Sequence, residues 1–403
     1  MPRFVALIVA LVLSLAALPA SVLRAGAQDA TPGAGPPPFP PPSANVTVFA
    51  EGLDNPRGLE FGPDGLLYVA EGGQGGTTST EGECEQVVPP VGPYTGGENN
   101  SRISTLDADG QRTSVAEGIP STQTSPALGN LVSGVADIAF VDDTLYYLLA
   151  SGGCSHGNPD TPNGVYRVNE DGTTELVADL SAFVMANPTK FQNPADFEPD
   201  ESAYGLEAFN DQLYVAESNH GALDAVDPET GTPSRVLDLS ATEGHLVPTA
   251  MAVGPDGNLY LSNLMPFPVM AGVSSVYTVT PEGELGKYAE GVTAVLGLAF
   301  DAEGQLYVLE TSGPGAGMDA PIIPGTGRVV RLTDDGALEV VATGLVFPTG
   351  MAFGPDGTLY VSNFGFGFPP GAGQVVAIDV STPLPAATPG AGAGPSDTAT
   401  PTA

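Results

Sequence analysis

One hairpin motif recurs six times along the chain, and few folds accommodate repeats at such spacing. The copies are "RGLEFGPDGLLYVAE" (57–71), "ADIAFVDDTLYYLLAS" (136–151), "YGLEAFNDQLYVAE" (204–217), "TAMAVGPDGNLYLSN" (249–263), "LGLAFDAEGQLYVLE" (296–310) and "TGMAFGPDGTLYVSN" (349–363). The aligned tyrosines Tyr68, Tyr146, Tyr214, Tyr260, Tyr307 and Tyr360 lie 78, 68, 46, 47 and 53 residues apart, so the basic unit is about 46 residues with insertions. A second hairpin follows each copy, as in "GVYRVNEDGTTELVADL" and "SVYTVTPEGELGKYAEG". Two hairpins per unit make a four-stranded antiparallel blade, and short strands apolar on both faces suit sheets packed between sheets. Gly-Pro-Asp-Gly supplies the turn: Pro presets the first corner, Asp bonds the backbone, and the final Gly takes a positive φ. No stretch sustains the 3.6-residue period of a helical solenoid. The expected fold is all-β, a six-bladed β-propeller.

Counting strands explains why the beginning of the chain resembles its end. After the sixth copy only "GQVVAIDV" (373–380) remains, so the last blade lacks its outermost strand. "NVTVFAEGL" (45–53) matches "ALEVVATGL" (337–345), which also runs directly into a repeat. The N-terminal strand is therefore expected to close the ring, with 46–50 pairing to 374–379. Closure removes the free edges that an open stack of sheets would expose.

The flanks differ from this core. "MPR", an apolar run of 15 residues and "AGA" at 25–27 read as a signal peptide over 1–27. The run is short for a membrane span. Residues 28–44 read as a Pro-rich linker, 45–380 as the propeller and 381–403 as a disordered Pro/Ala/Thr/Gly-rich tail. The expectation is an exported monomer, extracellular or periplasmic, with no membrane span after cleavage. A formal charge of −36 with only 11 Lys and Arg excludes nucleic acid, whose phosphates need basic side chains, and argues against anionic lipid. So much acid gives a soluble surface or binds cations.

All the turns on one face of such a ring are short. The long segments, 72–101, 119–134, 152–163, 181–202, 264–273, 311–326 and 364–373, map to the other. Long loops on a rigid scaffold are where binding resides, and a small molecule, glycan or protein is the expected partner there. Cys84 and Cys154 fall on this loop face in adjacent blades. Their even number in an exported chain predicts a disulfide. His156, His220 and His245 also map there and read as surface histidines, since no zinc-ligand spacing joins them.

Two sets of positions draw attention near the axis. Each inner strand begins narrowly, at Gly58, Asp137, Gly205, Ala250, Gly297 and Gly350, because six strands crowd a channel. Asp137 is the odd member, either facing channel water or holding neighbouring amides. The second strands end in Glu71, Ser151, Glu217, Asn263, Glu310 and Asn363. These oxygen donors either cap loop backbone or hold a hard cation such as Ca²⁺, with Glu71, Glu217, Glu310, Asn263 and Asn363 as its ligands. By topology Arg57, Glu71, Asp137, Tyr204, Glu217 and Glu310 should converge at the loop-face mouth. An acid-ringed mouth would prefer cations or neutral polyols, and Arg57 would neutralise Glu71 or Asp137. No Gly-x-Ser-x-Gly elbow, His-Glu-x-x-His or phosphate loop is present, so no catalytic residue is named.

"GLDNPRGLEFGPDGLLYVAEGG", the Cys-bearing loop, "VADL" followed by "AFVMANP", and "VPTAMAVGPDGNLYLSNLMPFPVMAGVSSVYTV" resemble the ScyD/ScyE family. These are secreted NHL/SMP-30-like propellers named for the gene cluster that makes scytonemin, a cyanobacterial sunscreen pigment. The likeness spans roughly 46–380. It implies an exported six-bladed propeller whose biochemical activity the family itself does not settle. Val135-Ala136-Asp137 stands where the family pattern has Pro-His-Asp, and Ser202-Ala203-Tyr204-Gly205 where it has Asn-Pro-Tyr-Gly. The first functional reading is a binding or scaffold protein acting through the loop face, rather than an enzyme. The alternative is a metal-dependent hydrolase, lactonase or lyase of the SMP-30/gluconolactonase-like type. The positions that would carry that metal are Arg57, Ala136, Tyr204, Thr249, Leu296 and Thr349, none a carboxylate or amide.

Overall fold

The computed structural model describes residues 39–313, 322–333, 335–382 and 384. The expected signal segment 1–27, linker residues 28–38 and tail residues 385–403 lie outside them. Among the described residues the strands form six sheets, arranged as a six-bladed β-propeller. The inner strands are Pro56–Phe61, Val135–Val141, Ala203–Phe209, Pro248–Val253, Val295–Phe300 and Gly350–Phe353, and each packs against the next around the axis. They define blades 1 to 6. In each blade the inner strand pairs antiparallel with the Leu-Tyr strand of its motif, as Phe61 with Leu67 beside the Gly-Pro-Asp-Gly turn and Pro56 with Glu71 at the loop face. Both faces of these second strands are covered by neighbouring sheets. Val69, Leu213, Leu259 and Leu359, for example, are fully buried.

Blade 6 is completed from the other end of the chain. Val46–Leu53 pairs antiparallel with Gly373–Ile378, from Val46 opposite Ile378 to Leu53 opposite Gly373. Ala50 and Leu53 then pack with Leu59, Val69 and Val375, which joins blade 6 to blade 1. Asn45 fastens the start of this strand by donating to the carbonyls of Val341 (3.0 Å) and Asp379 (3.1 Å).

The loop face departs from expectation in one respect. Segments 72–101 and 119–134 are not wholly irregular, because blade 1 extends its outer strands through them. Thr95–Leu106 and Arg112–Gln123 form a long hairpin, and Val132–Ser133 adds a fifth strand. Glycines permit the close packing this needs: a Cβ on Gly96 would lie 2.4 Å from the Gly157 carbonyl oxygen. Cys84 and Cys154 are disulfide-bonded, which ties this blade 1 insertion to the blade 2 loop. Two short helices, Leu180–Ala186 and Leu239–Thr242, lead from the outer strands of blades 2 and 3, capped by Asp179 and Asp238.

Closure and cross-linking can each be tested. Deleting the chain through Ala50 should lower stability by several kcal/mol, since it bares a sheet edge and apolar surface together; an unchanged urea midpoint would contradict the strand's role. Replacing both cysteines by serine should cost about 4 kcal/mol in the chain-entropy account of a loop this long, read as a lower denaturation midpoint.

Candidate functional site

The acids and amides that end the second strands are engaged with backbone. Glu71 accepts from the Asp54 amide (2.7 Å), Glu310 from Thr293 (2.9 Å) and Asn363 from Val346 (2.7 Å), each 17 residues back along the chain. Asn263 donates to the Leu246 carbonyl at the same spacing and accepts from Ser275. An arginine side chain then neutralises the buried acids of two blades: Arg102 and Arg112 beside Glu71, and Arg328 on Glu310. These side chains cap the entry into blades 1, 4, 5 and 6, where the chain crosses from one sheet to the next and leaves backbone groups unpaired. They do not converge on the axis with Arg57, Asp137 and Tyr204. The expected acid ring is therefore replaced by separate caps. Glu217 differs in accepting from amides ahead of it, those of Asn219 (3.1 Å) and His220 (2.9 Å).

What lies at the loop-face end of the axis is mostly apolar. Two adjoining compartments of about 170 and 200 Å³ share a wall made by Arg57, Leu131, Tyr204, Val247, Leu264 and Phe267. Ala136, Leu296 and Phe366 complete the first, Tyr94, Asp196 and Glu198 the second. Arg57 is only 8% exposed, and it bonds neither Glu71 nor Asp137. One guanidinium nitrogen donates to the Val132 carbonyl, while its Nε has no partner among the described residues. The guanidinium lies 5.9 Å from the Tyr204 ring centre and 5.5 Å from that of Phe366, within cation–π range. Tyr204 itself reaches across the axis and donates to the Thr349 carbonyl at 2.7 Å. Its ring separates the pocket from the channel beneath.

That channel, of about 440 Å³, runs toward the short-turn face. Asp137 projects into the space that Gly58 leaves open; a Cβ there would lie 1.8 Å from the Asp137 carboxylate. It does both things its position suggested, lining the channel and accepting from the amides of Leu206 (2.9 Å) and Ile138 (3.0 Å). Two further carboxylates line the channel, Glu60 from blade 1 and Glu207 from blade 3. They occupy the position filled by Ala139, Ala252, Ala299 and Ala352 in the other blades, opposite the motif tyrosine. The aligned repeats carry this signal, two glutamates in a column of alanines two residues beyond the narrow one. Burial and the neighbouring Asp137 charge push Glu60 up to about 8. Burial raises Asp137 to about 7 against its amide bonds, and burial with both neighbours holds Glu207 well above the carboxylate range.

The histidines are not on the surface. His156 and His220 are buried because segment 181–202 folds over blades 2 and 3 and supplies them with acceptors. Glu198 is central: its carboxylate meets His156 Nε2 (3.2 Å) and the Tyr94 hydroxyl (3.1 Å), and its carbonyl meets His220 Nε2 (3.2 Å). His245 pairs with Asp196 at 2.6 Å.

No family model matches the chain, and no curated protein does. Solved propellers share its fold. An oxidoreductase described as a glucose dehydrogenase, from Thermus thermophilus, superposes with a TM-score of 0.51 at 18% identity, over 83% of this chain and 99% of that one. A gluconolactonase of Xanthomonas campestris gives 0.48 at 10% identity, over 83% and 89%. Streptogramin B lyase gives 0.47 at 14%, over 83% and 97%. At these identities the likeness is one of fold.

Raised carboxyl pKa values mean that the folded channel binds more protons than the unfolded chain between the ordinary carboxylate range and about pH 8. Its contribution to stability is greatest in acid and is lost as pH rises through 7 to 8. The melting temperature should therefore fall across that window. Glu60→Gln should flatten the fall and melt above wild type at pH 8; a variant with the wild-type slope would show that Glu60 does not titrate in this window.

Proposed function

We propose that this is an exported binding propeller of the ScyD/ScyE kind that takes a small organic ligand at the loop-face end of its axis. The ligand has an apolar, planar body and an anionic or carbonyl head. One observation carries the reading: a nearly buried Arg57 guanidinium that no carboxylate pairs among the described residues, set in a wall of Leu131, Val247, Leu264, Phe267 and Phe366. A buried guanidinium donor without an acceptor is costly, and an acceptor group on a ligand would remove that cost. The apolar lining with few polar groups matches small-molecule sites in general. The ligand class differs from the cations or polyols that an acid-ringed mouth would favour, because the acids at the strand ends are turned into the blades.

A second reading has one observation behind it. Tyr94, Glu198 and His156 form a hydrogen-bonded line, and Tyr94 and Glu198 reach the pocket that holds Arg57. A carboxylate linked to a tyrosine and a histidine can move a proton, which a lyase or lactonase needs. The axial metal of a gluconolactonase-type site finds no carboxylate or amide at Arg57, Ala136, Tyr204, Thr249, Leu296 or Thr349.

Anilinonaphthalene sulfonate, an aromatic anion, is a direct probe. It should bind the folded protein saturably at one site, and Arg57→Met should weaken binding by about tenfold or more, the worth of a charge-assisted hydrogen bond. Equal binding by wild type and variant would sink the proposal. Lactone or lyase turnover abolished by Glu198→Gln would favour the second reading instead.

A further inference from the structure

The two compartments of the loop-face pocket differ in charge. Among the described residues the lining of the first holds no carboxylate. The second holds two, Asp196 and Glu198, both from the segment that folds over blades 2 and 3. Asn219 fixes that segment: its Nδ2 donates to the Asp196 carbonyl, and its Oδ1 accepts from the Glu198 amide (2.8 Å). Both acids are thereby held at the wall.

Neither acid is paired with an arginine or lysine among the described residues. Glu198 accepts from the Tyr94 hydroxyl and faces His156, and Asp196 Oδ2 faces His245. Burial and the Glu198 charge hold the Tyr94 hydroxyl well above its ordinary pKa, so it stays a neutral donor. The other Asp196 oxygen accepts no hydrogen bond among the described residues, and the side chain is 26% exposed. Arg57 lines both compartments, is nearly buried, and has no carboxylate partner among the described residues.

A pocket that holds a buried cation and two carboxylates without joining them selects its ligand by charge. An anion alone is drawn to Arg57 but repelled by Asp196 and Glu198. A cation alone meets the reverse conflict. Only a molecule carrying both charges meets each wall with its opposite, and complementarity of this kind sets specificity.

On the reading that Arg57 receives the head of the ligand, we propose that the ligand is a zwitterion of the amino acid class. Its carboxylate meets Arg57, its ammonium meets Asp196 with Glu198 behind, and its apolar side chain fills the first compartment beside Leu296 and Phe366. An amino acid carries these three groups on one carbon, and Arg57 stands where the two compartments join. Asp196, with an uncommitted oxygen, is the residue that determines specificity for the amine.

Three probes of similar size test this by isothermal titration of the purified protein: phenylalanine, 3-phenylpropionate, which lacks the amine, and phenethylamine, which lacks the carboxylate. Wild type should bind phenylalanine at least tenfold more tightly than either of the others, the worth of one charge-assisted hydrogen bond. Asp196→Asn, which keeps an oxygen for His245, should weaken phenylalanine at least tenfold and tighten 3-phenylpropionate, because a repelling charge is gone. A merely structural loss would weaken both. The proposal is overturned if wild type binds none of the three, if either single-charge probe binds as tightly as phenylalanine, or if the variant weakens both acids alike. The pocket reading survives any of these results where Arg57→Met still weakens anilinonaphthalene sulfonate, so the two failures are told apart. The wild-type preference decides the matter even if the variant fails to fold.

Discussion

The pairing of Val46–Leu53 with Gly373–Ile378 is the interaction on which everything else rests. A ring of sheets has no stabilising arrangement short of closure: each blade covers its apolar faces with its two neighbours, so one missing strand bares surface on both sides. Joining the two ends of the chain in one blade means that neither terminus can fray without opening a sheet. Leu53, fully buried between blades 6 and 1, extends that constraint from backbone to side chains. The disulfide works on the outside of the same ring, holding an insertion of blade 1 against blade 2 where no strand pairing joins them.

Closure also dictates the chemistry of the axis. Six inner strands brought this near leave little room, and glycine is the usual answer. Gly350, for instance, would place a Cβ 2.5 Å from the Arg57 carbonyl oxygen. Where a side chain does enter, a glycine in the next blade makes way for it, as Gly58 does for Asp137. The channel can therefore hold a few polar groups only, and each is strongly desolvated. Glu60, Asp137 and Glu207 hold their protons more tightly than ordinary carboxyls for this reason, and Tyr204 divides them from the apolar pocket above.

The fold was legible because its signals are local and repeated. A turn sequence, a tyrosine and an alternating strand recur six times, and the counting of strands requires no knowledge of side-chain direction. The candidate site was legible only in part. Arg57, Asp137 and Tyr204 were placed at the axis by their register, which the hairpins fix. Glu71, Glu310 and Asn363 share that kind of register but turn into the blade, because a crossover amide 17 residues back needs an acceptor, and Asn263 turns in to donate to a crossover carbonyl at the same spacing. The buried histidines were out of reach for another reason. Their acceptors come from segment 181–202, an insertion with no repeat to align, and its path over blades 2 and 3 follows from long-range packing.

The distribution of arginine links these points. With 11 basic residues against 47 acids, each buried carboxylate that receives a guanidinium does so at the expense of another site. Blade 1 places two beside Glu71, and blade 5 places one on Glu310. Arg57 could have been a fourth, yet its register at the head of an inner strand sends it to the axis, beside two aromatic rings and a carbonyl. It remains a cation in an apolar pocket. A chain this poor in cations, folded this way, leaves Arg57 without a carboxylate partner among the described residues. An anionic group from solution would remove that mismatch, and this is the physical basis for proposing binding at this face of the ring.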